Sequence, residues 1–517
     1  MLSNKLFVLV FLAFLVGCGG GGGGGSDSPA PQPAPDPQPA APPAITQLSF
    51  LTSNNAELDA DILMTIDENS ITGRVESNAS VDSLVATYQF EGTNISIDGL
   101  AQQNGISASD FTDLVNISVE NADGDSRTYQ VDLTKYTGLP VIYLTTENNA
   151  AVESKEDYIN GTVAIDGGRY FDDLPESIIE IRGRGNSTWA LHPKKPYQIK
   201  FENKTEFLGM IEDKRWLFLA EYSDKTMLRN RTVFEMGHLS NLEYTTQGVY
   251  AEVYLNGLYN GTYNITQKVE ESNNRVAIGD DGYLLEIDQD WRIDPDDVFF
   301  YTDEFDGPGL VNIKEPSGIS YGTPEYDYIR DYINDFENAL FGEYFTSDAW
   351  GYKSYIDVPS WVDWFVINEI TKNVDARSFA SIFFSVIPGE KIKKGPIWDF
   401  DLSFGNTDYA DSQYREGWWV KYNPWYERLF QDPEFVELVK ARFTYYRENQ
   451  QIILEKVDDF AEQLTYAQEE NNEKWETFGQ YVWPNPVVYD THQEEVDHLK
   501  TWYIERMDWL ENAFNDL

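Results

Sequence analysis

Apolar and polar positions change rhythm along this chain, and each rhythm predicts a different kind of element. From Ile45 to about Leu133 short runs alternate with period two: Leu48-Ser49-Phe50, Ile71 to Val75, Leu84 to Tyr88, Val115 to Val119 and Tyr129 to Leu133. Such runs, separated by turns, are the pattern of half-buried strands. Asp123-Gly124-Asp125 between the last two is a hairpin turn signal. After Leu139-Pro140 the pattern is mixed. Val141 to Leu144, Ile178 to Ile181, Pro196 to Phe201 and Tyr283 to Asp288 are expected as strands, and Tyr250 to Gln267 as a hairpin turning at Asn256-Gly257. A helix is expected from Asp224, as cap, through Met236.

Beyond Asp290 a helical period takes over. Thr323-Pro324-Glu325 starts a helix that places Tyr326, Ile329, Ile333, Phe336 and Leu340 on one face. Ser360 and Asp363 resemble a capping box opening a helix that ends near Asp375, followed by a strand from Phe379 to Ile387, a turn and a second, acidic strand around Asp399. Three helices follow, on Phe435 to Arg442, Ile452 to Tyr466 and Val496 to Leu510. The fold class is therefore multidomain: an all-β sandwich, then an α+β domain with a helical C-terminal part.

The chain has 517 residues, 41% of them apolar and 15% aromatic, too many for one core. With 38 Lys and Arg against 87 Asp and Glu, its net charge is −49. So acidic a surface repels a phosphate backbone, which argues against nucleic acid as a partner. Residues 1–18 have the form of a secretory signal, with Lys5 before the apolar run Leu6 to Val16. The run closes in Leu15-Val16-Gly17-Cys18, which resembles a bacterial lipobox, and Cys18, the only cysteine, would carry the lipid. Gly19 after it favours the outer membrane or cell surface. Residues 19–44 form a Gly- and Pro-rich tether, and residues 45–136 resemble the small immunoglobulin-like modules of bacterial surface proteins. One cysteine and four scattered histidines leave no basis for a disulfide, a thiol nucleophile or a His-rich metal site.

Two segments carry candidate chemistry. Asp399 and Asp401 lie one residue apart among aromatics, and on a strand both would project from one face, where two anions repel unless a cation sits between them. Hard oxygen ligands suit Mg²⁺ or Mn²⁺. A pair of solvated carboxylates is the competing reading of so short a motif. The other segment, Arg182 through Phe201, holds Arg182, Arg184, Lys194, Lys195 and Lys200 and no acid, a local inversion of charge. Its glycines would let backbone N–H groups approach an anion, with the Ser187 and Thr188 hydroxyls adding donors. A basic hairpin pairing with acidic surface elsewhere is the alternative.

Arg182-Gly-Arg-Gly-Asn-Ser-Thr-Trp, Lys195-Pro-Tyr-Gln-Ile-Lys, Leu255-Asn-Gly-Leu-Tyr-Asn-Gly-Thr-Tyr, Tyr283-Leu-Leu-Glu-Ile-Asp and Trp398-Asp-Phe-Asp-Leu-Ser-Phe-Gly occur in this order. Together they resemble the spore-coat protein H (CotH) kinase family, over residues 137–517. The resemblance implies an atypical, bilobal protein-kinase-like fold and phosphoryl transfer from ATP with Mg²⁺ or Mn²⁺. It further implies metal held by Asp399 and Asp401, Asp375 accepting the proton of an acceptor hydroxyl, and nucleotide held by Arg184, Gly185, Asn186, Ser187 and Lys200. Glu286 or Asp288 would meet the ribose or base, and Glu235 is a candidate partner for Lys200. The implied acceptor is Ser or Thr of an extracytoplasmic protein. A non-catalytic coat scaffold, a nucleotide-binding pseudokinase, and transfer to glycan or polyphosphate are the alternatives. The chain departs from the family pattern in two places: no asparagine lies between Ala376 and Phe384, where Ser378 and Ser381 are the nearest substitutes, and Gln267 precedes Lys268 where a glutamate is common.

Overall fold

The computed structural model describes residues 40–76, 79–302 and 309–517. The segment expected to be a signal, Cys18 and the expected tether up to residue 39 lie outside the described residues. Two sheets share the first core. Ala44–Phe50, Ile62–Leu63, Leu84–Glu91 and Ala108–Ser109 form one, and a six-stranded sheet centred on Ser126–Tyr136 and Val115–Glu120 forms the other. Alternation works as expected here: Tyr129, Val131 and Leu133 turn inward to meet Leu48, Phe50 and Leu84 from the facing sheet. Asn121 Oδ1 closes the Asp123 to Asp125 turn by accepting from both of their backbone N–H groups.

A seven-stranded closed barrel follows, in the order Val141–Thr146, Ile159–Asp166, Leu174–Gly183, Tyr197–Phe207, Met210–Leu219, Leu258–Gln267 and Gly248–Leu255. Parallel pairing of Val141–Leu144 with Glu252–Leu255 completes the ring. Its interior holds Ile142, Ile181, Ile199, Trp216, Phe218 and Tyr263.

The third body is an antiparallel sheet with helices packed on it. Its strands run in the order Val298–Tyr301, Leu310–Glu315, Tyr283–Asp288, Ile382–Val386 and Lys393–Lys394. Tyr283–Asp288 is buried on both faces, and its period of two divides the work. Tyr283, Leu285 and Ile287 enter the large helical core, whereas Leu284 joins a small cluster with Leu217 and Leu219 of the barrel, Phe234, Phe383 and Trp398. That cluster joins the barrel to the helical body, and the same face of the strand carries Glu286 and Asp288 into the space between them.

Three elements differ from the sequence expectation. The helix expected from Asp224 is Arg229–His238, because Asp224 spends its carboxylate on a tight turn, accepting from the Thr226 hydroxyl at 2.6 Å and from Arg229 N at 2.9 Å. The helix assigned to a Ser360/Asp363 box is Val358–Thr371, capped by Asp357; Asp363 is buried and accepts instead from Asn241 and Arg442. The acidic stretch around Asp399 is not a strand: residues 395–400 pair with no neighbouring strand, Pro396 offers no N–H to a ladder, and Asp399 has φ 70°, outside the β region. Short helices Pro424–Leu429 and Ala467–Trp475 lacked any clear periodicity.

The C-terminal helix, His492–Asn515, is fixed by a buried ion pair. Arg506 donates to Glu369 Oε1 at 2.7 Å and to the carbonyls of Glu369, Arg415 and Gly417, while Glu369 accepts from Trp419 N and Lys421 N. Both side chains are essentially inaccessible. Arg506→Ala leaves Glu369 as an uncompensated buried charge. It is expected to cost about 3–5 kcal/mol, measured as a lowered urea midpoint with an unchanged m-value.

Candidate functional site

The loop between the barrel strand Met210–Leu219 and the helix Arg229–His238, the segment from Trp398 to Asn406 and the turn at Asp375 converge between barrel and helical body. Arg184, Thr188, Glu221, Asn230, Trp398, Asp399 and Asp401 line one narrow crevice of about 30 Å³, room for a single water or ion. Although the strand assumed from sequence is absent, both carboxylates reach this crevice. The left-handed turn at Asp399 re-aims the chain, and the segment is held by Asn230 Oδ1, which accepts from Phe400 N at 2.8 Å, and by Asn406, which donates to Asp401 O at 2.7 Å. Asp399 Oδ2 accepts from the Ser381 hydroxyl at 3.2 Å, and Asp401 Oδ2 from the Ser223 hydroxyl at 3.3 Å. Ser381 and Glu221 also have left-handed backbones, so three residues held in this conformation meet at or beside the crevice.

The electrostatics are those of a site short of positive charge. Burial, then the charges of Asp399, Glu221, Asp224 and Asp375, push the Asp401 carboxyl well above the usual range. Burial and Asp224 push Glu221 up to about 7, although Asn230 and Asn264 donate to it. Asp375 is raised to about 7 by burial and then by Asp399, with Arg292 acting against both. The cation facing the pair is Arg184, whose guanidinium lies 5.7 Å from the centre of the Trp398 ring; burial lowers its pKa, while Asp399, Asp401 and Glu221 hold its proton. Two carboxylates with hydroxyl donors behind them fit a hard divalent cation. Among the described residues no group of three or more His, Cys, Asp or Glu side chains forms a ready cage, so oxygens from elsewhere would complete the coordination.

The remaining sequence candidates distribute as follows. Gly185 takes φ 79°, and Arg184 N donates to Pro196 O at 3.2 Å, which shapes the loop beside the crevice. Gly183 is required by packing, since a Cβ there would strike the Trp189 ring. Asn186 accepts from Lys155 at 2.9 Å, and Ser187 is exposed at the start of Ser187–Leu191. Lys200 is turned from the crevice: it donates to Glu180 Oε2 at 2.6 Å across the barrel wall and lies 5.4 Å from the centre of the Tyr158 ring. Glu235 interacts with Arg231 and His238. Glu286 lies 3.7 Å from Lys314 and is raised to about 7 by burial, and Asp288 pairs with Arg292 at 3.0 Å. Gln267 accepts from the Tyr244 hydroxyl and Gln247 N, a structural role. Sequence reasoning missed Glu221 and Arg292. The signals were an acid directly after the apolar run Trp216 to Ala220, and a base four residues after Asp288.

On the other side of Asp375 lies a wider hollow of about 420 Å³, walled by Arg377, Ser378, Phe379, Tyr409, Trp419 and Tyr422. An acid with a raised pKa therefore stands between a narrow acidic crevice and an open aromatic hollow.

A family model described as CotH kinase protein matches residues 181–510, more than half of the chain. The chain belongs to the CotH kinase family. All the acids and cations of the crevice fall inside the matched region of this CotH kinase chain. No curated protein matches it. Among solved structures, a crystal structure from Bacteroides thetaiotaomicron described as a candidate glycoside hydrolase aligns at 16% identity, covering 57% of this chain and 89% of its own, with a TM-score of 0.17, too low to carry an argument.

The raised acids set a pH dependence. Burial pushes Asp375, Glu221 and Glu286 each up to about 7 in the folded CotH kinase domain against 3.8 or 4.5 ordinarily, so the folded state binds protons that the unfolded state has released. Their contribution to stability is full below the unfolded values and lost as pH rises through about 7. In EDTA, the urea midpoint is expected to fall between about pH 4 and pH 7 and to level off above, and Asp401→Asn to flatten that slope.

Proposed function

We propose that this CotH kinase-family protein transfers the γ-phosphoryl group of ATP to a Ser or Thr hydroxyl of an extracytoplasmic protein. The observation that carries the reading is the placement of Asp375 between the Asp399/Asp401 crevice and the open hollow. In this reading the acceptor enters from the hollow and its oxygen approaches the γ-phosphorus. The new P–O bond forms as the bond to the β-phosphate bridge breaks, ADP leaves with the electron pair, and the hydroxyl proton passes to Asp375. Asp399 and Asp401 would hold Mg²⁺ or Mn²⁺, which when bound neutralises phosphate charge. Ser381 and Ser223 orient the two carboxylates. Arg184 faces the phosphates from the barrel side, and Glu286 with Lys314 marks the direction in which the ribose and base extend. A crevice of about 30 Å³ is too small for a triphosphate, so nucleotide enters as barrel and helical body move apart.

The lipobox-like Cys18 and the tether behind it support an exported, lipid-anchored protein at the outer membrane or cell surface. Among the described residues no helix is long and apolar enough to cross a membrane.

Two measurements test the reading. With ATP and Mn²⁺, the full chain is expected to phosphorylate a protein acceptor, located by mass spectrometry, and Asp375→Ala to lose at least about 10²-fold in rate. Identical products from wild type and variant would sink it. Separately, Mn²⁺ is expected to raise the melting temperature of the wild type, and Asp399→Asn, which keeps a side chain tolerant of the left-handed backbone, to abolish that rise.

A further inference from the structure

The hollow beside Asp375 contains a cation without a carboxylate. Arg377 lies two residues after Asp375, half-buried, with its guanidinium 5.2 Å from the centre of the Trp419 ring and 5.8 Å from that of Tyr422. Among the described residues it forms no ion pair, although acids outnumber bases by 87 to 38 in the chain. Beyond it the surface continues into a second hollow of about 430 Å³, which shares Arg377, Tyr422 and Pro424 with the first and adds Arg428 together with Phe341, Gln431 and one acid, the exposed Glu427 at its rim. Arg428 donates to the carbonyls of Leu340 and Gly342 and to Gln431, so it too is not neutralised by an acid.

An aromatic shelf keeps its charge available, because the ring faces stabilise a guanidinium without spending its donors. Arg377 is therefore set to receive an anion from outside. It stands on the acceptor side of Asp375, away from the barrel and Arg184. The two continuous hollows suit an extended chain, whose side chains recur at about 3.3 Å per residue, better than a compact solute.

We propose that the acceptor is an acidic peptide segment, in which the Ser or Thr hydroxyl lies at Asp375 while a carboxylate a residue or two away is held by Arg377. The inference rests on the kinase reading above and names its substrate class. Arg377 is then a specificity-determining residue, contributing charge-assisted hydrogen bonds that place the hydroxyl.

The test uses the full chain with ATP, Mn²⁺ and three peptides differing only in the residues flanking one serine: aspartate, alanine or lysine. The aspartate peptide is expected to show a KM roughly tenfold below that of the alanine peptide, and Arg377→Gln to abolish that difference by raising KM far more than it lowers kcat. Arg377→Glu should shift preference to the lysine peptide. Binding of the fluorescent peptides to Asp375→Asn protein, read by anisotropy, should follow the same order without turnover. Equal or reversed preference in the wild type, with phosphate transferred, overturns the acceptor assignment while leaving the kinase reading standing. The acidic preference in binding with no transfer to any peptide supports the groove assignment and counts against the kinase reading. Neither preference nor transfer overturns both. A melting temperature for each Arg377 variant within a few degrees of wild type excludes misfolding as the cause.

Discussion

Mutual repulsion among Asp375, Asp399, Asp401 and Glu221 is the constraint that the helical body and barrel are built to withstand. Four carboxylates would spread apart if the chain allowed it, since Asp399, Glu221 and Asp375 each raise the proton affinity of Asp401, and Asp399 also raises that of Asp375. The chain answers with a lattice of neutral donors. Asn406 and Asn485 both donate to Ser223 O, Asn485 also donates to Asn406, and Asn230 joins the Glu221 carboxylate to the backbone of Phe400. Amides can tie loop to loop without neutralising the acids, so the charge stays available to an incoming cation. Arg184, on the barrel, is the one residue of the crevice lining that answers with positive charge, and it arrives from the opposite body.

Around this lattice the packing is largely aromatic. Phe234 stacks with Trp398 at 6.1 Å, and with Leu217, Leu219, Leu284 and Phe383 they form the wedge that sets barrel against sheet. Trp419 is fixed through Glu369 and Arg506, so a buried ion pair between the helix Val358–Thr371 and the last helix sets where the aromatic wall of the hollow beside Asp375 stands. Rigid placement of this kind is what positional catalysis by phosphoryl transfer requires.

Much of this was legible in the sequence, and the failures share a cause. Period-two strands such as Ser126–Tyr136 and Tyr283–Asp288, and the Asn256-Gly257 hairpin, are local patterns and appear where expected. Asp399 and Asp401 share a crevice, but not through the expected alternation on a strand: hydrogen bonds with distant residues, Asn230 and Ser381, place them. Lys200 looked like a phosphate ligand because the acid-free run hid Glu180, which lies outside the segment and opposite it in the ladder. Glu221 and Arg292 join the site only through the meeting of barrel and sheet, which no local spacing encodes.

The closed barrel has a mechanical consequence. An open sheet can bend or shed an edge strand, but a ring in which Val141–Leu144 pairs with Glu252–Leu255 has no free edge and deforms only by breaking ladder bonds all round. The barrel therefore moves as one stiff piece, and any widening of the crevice must be absorbed by the three connections that join it to the helical body: the stretches from Ala220 to Leu228, from Leu239 to Gln247 and from Lys268 to Gly282. The first of these carries Glu221. The carboxylate that crowds the acid pair thus sits on one of the connections that any such movement must flex, and the charge state of the crevice is coupled there to the angle between the two bodies.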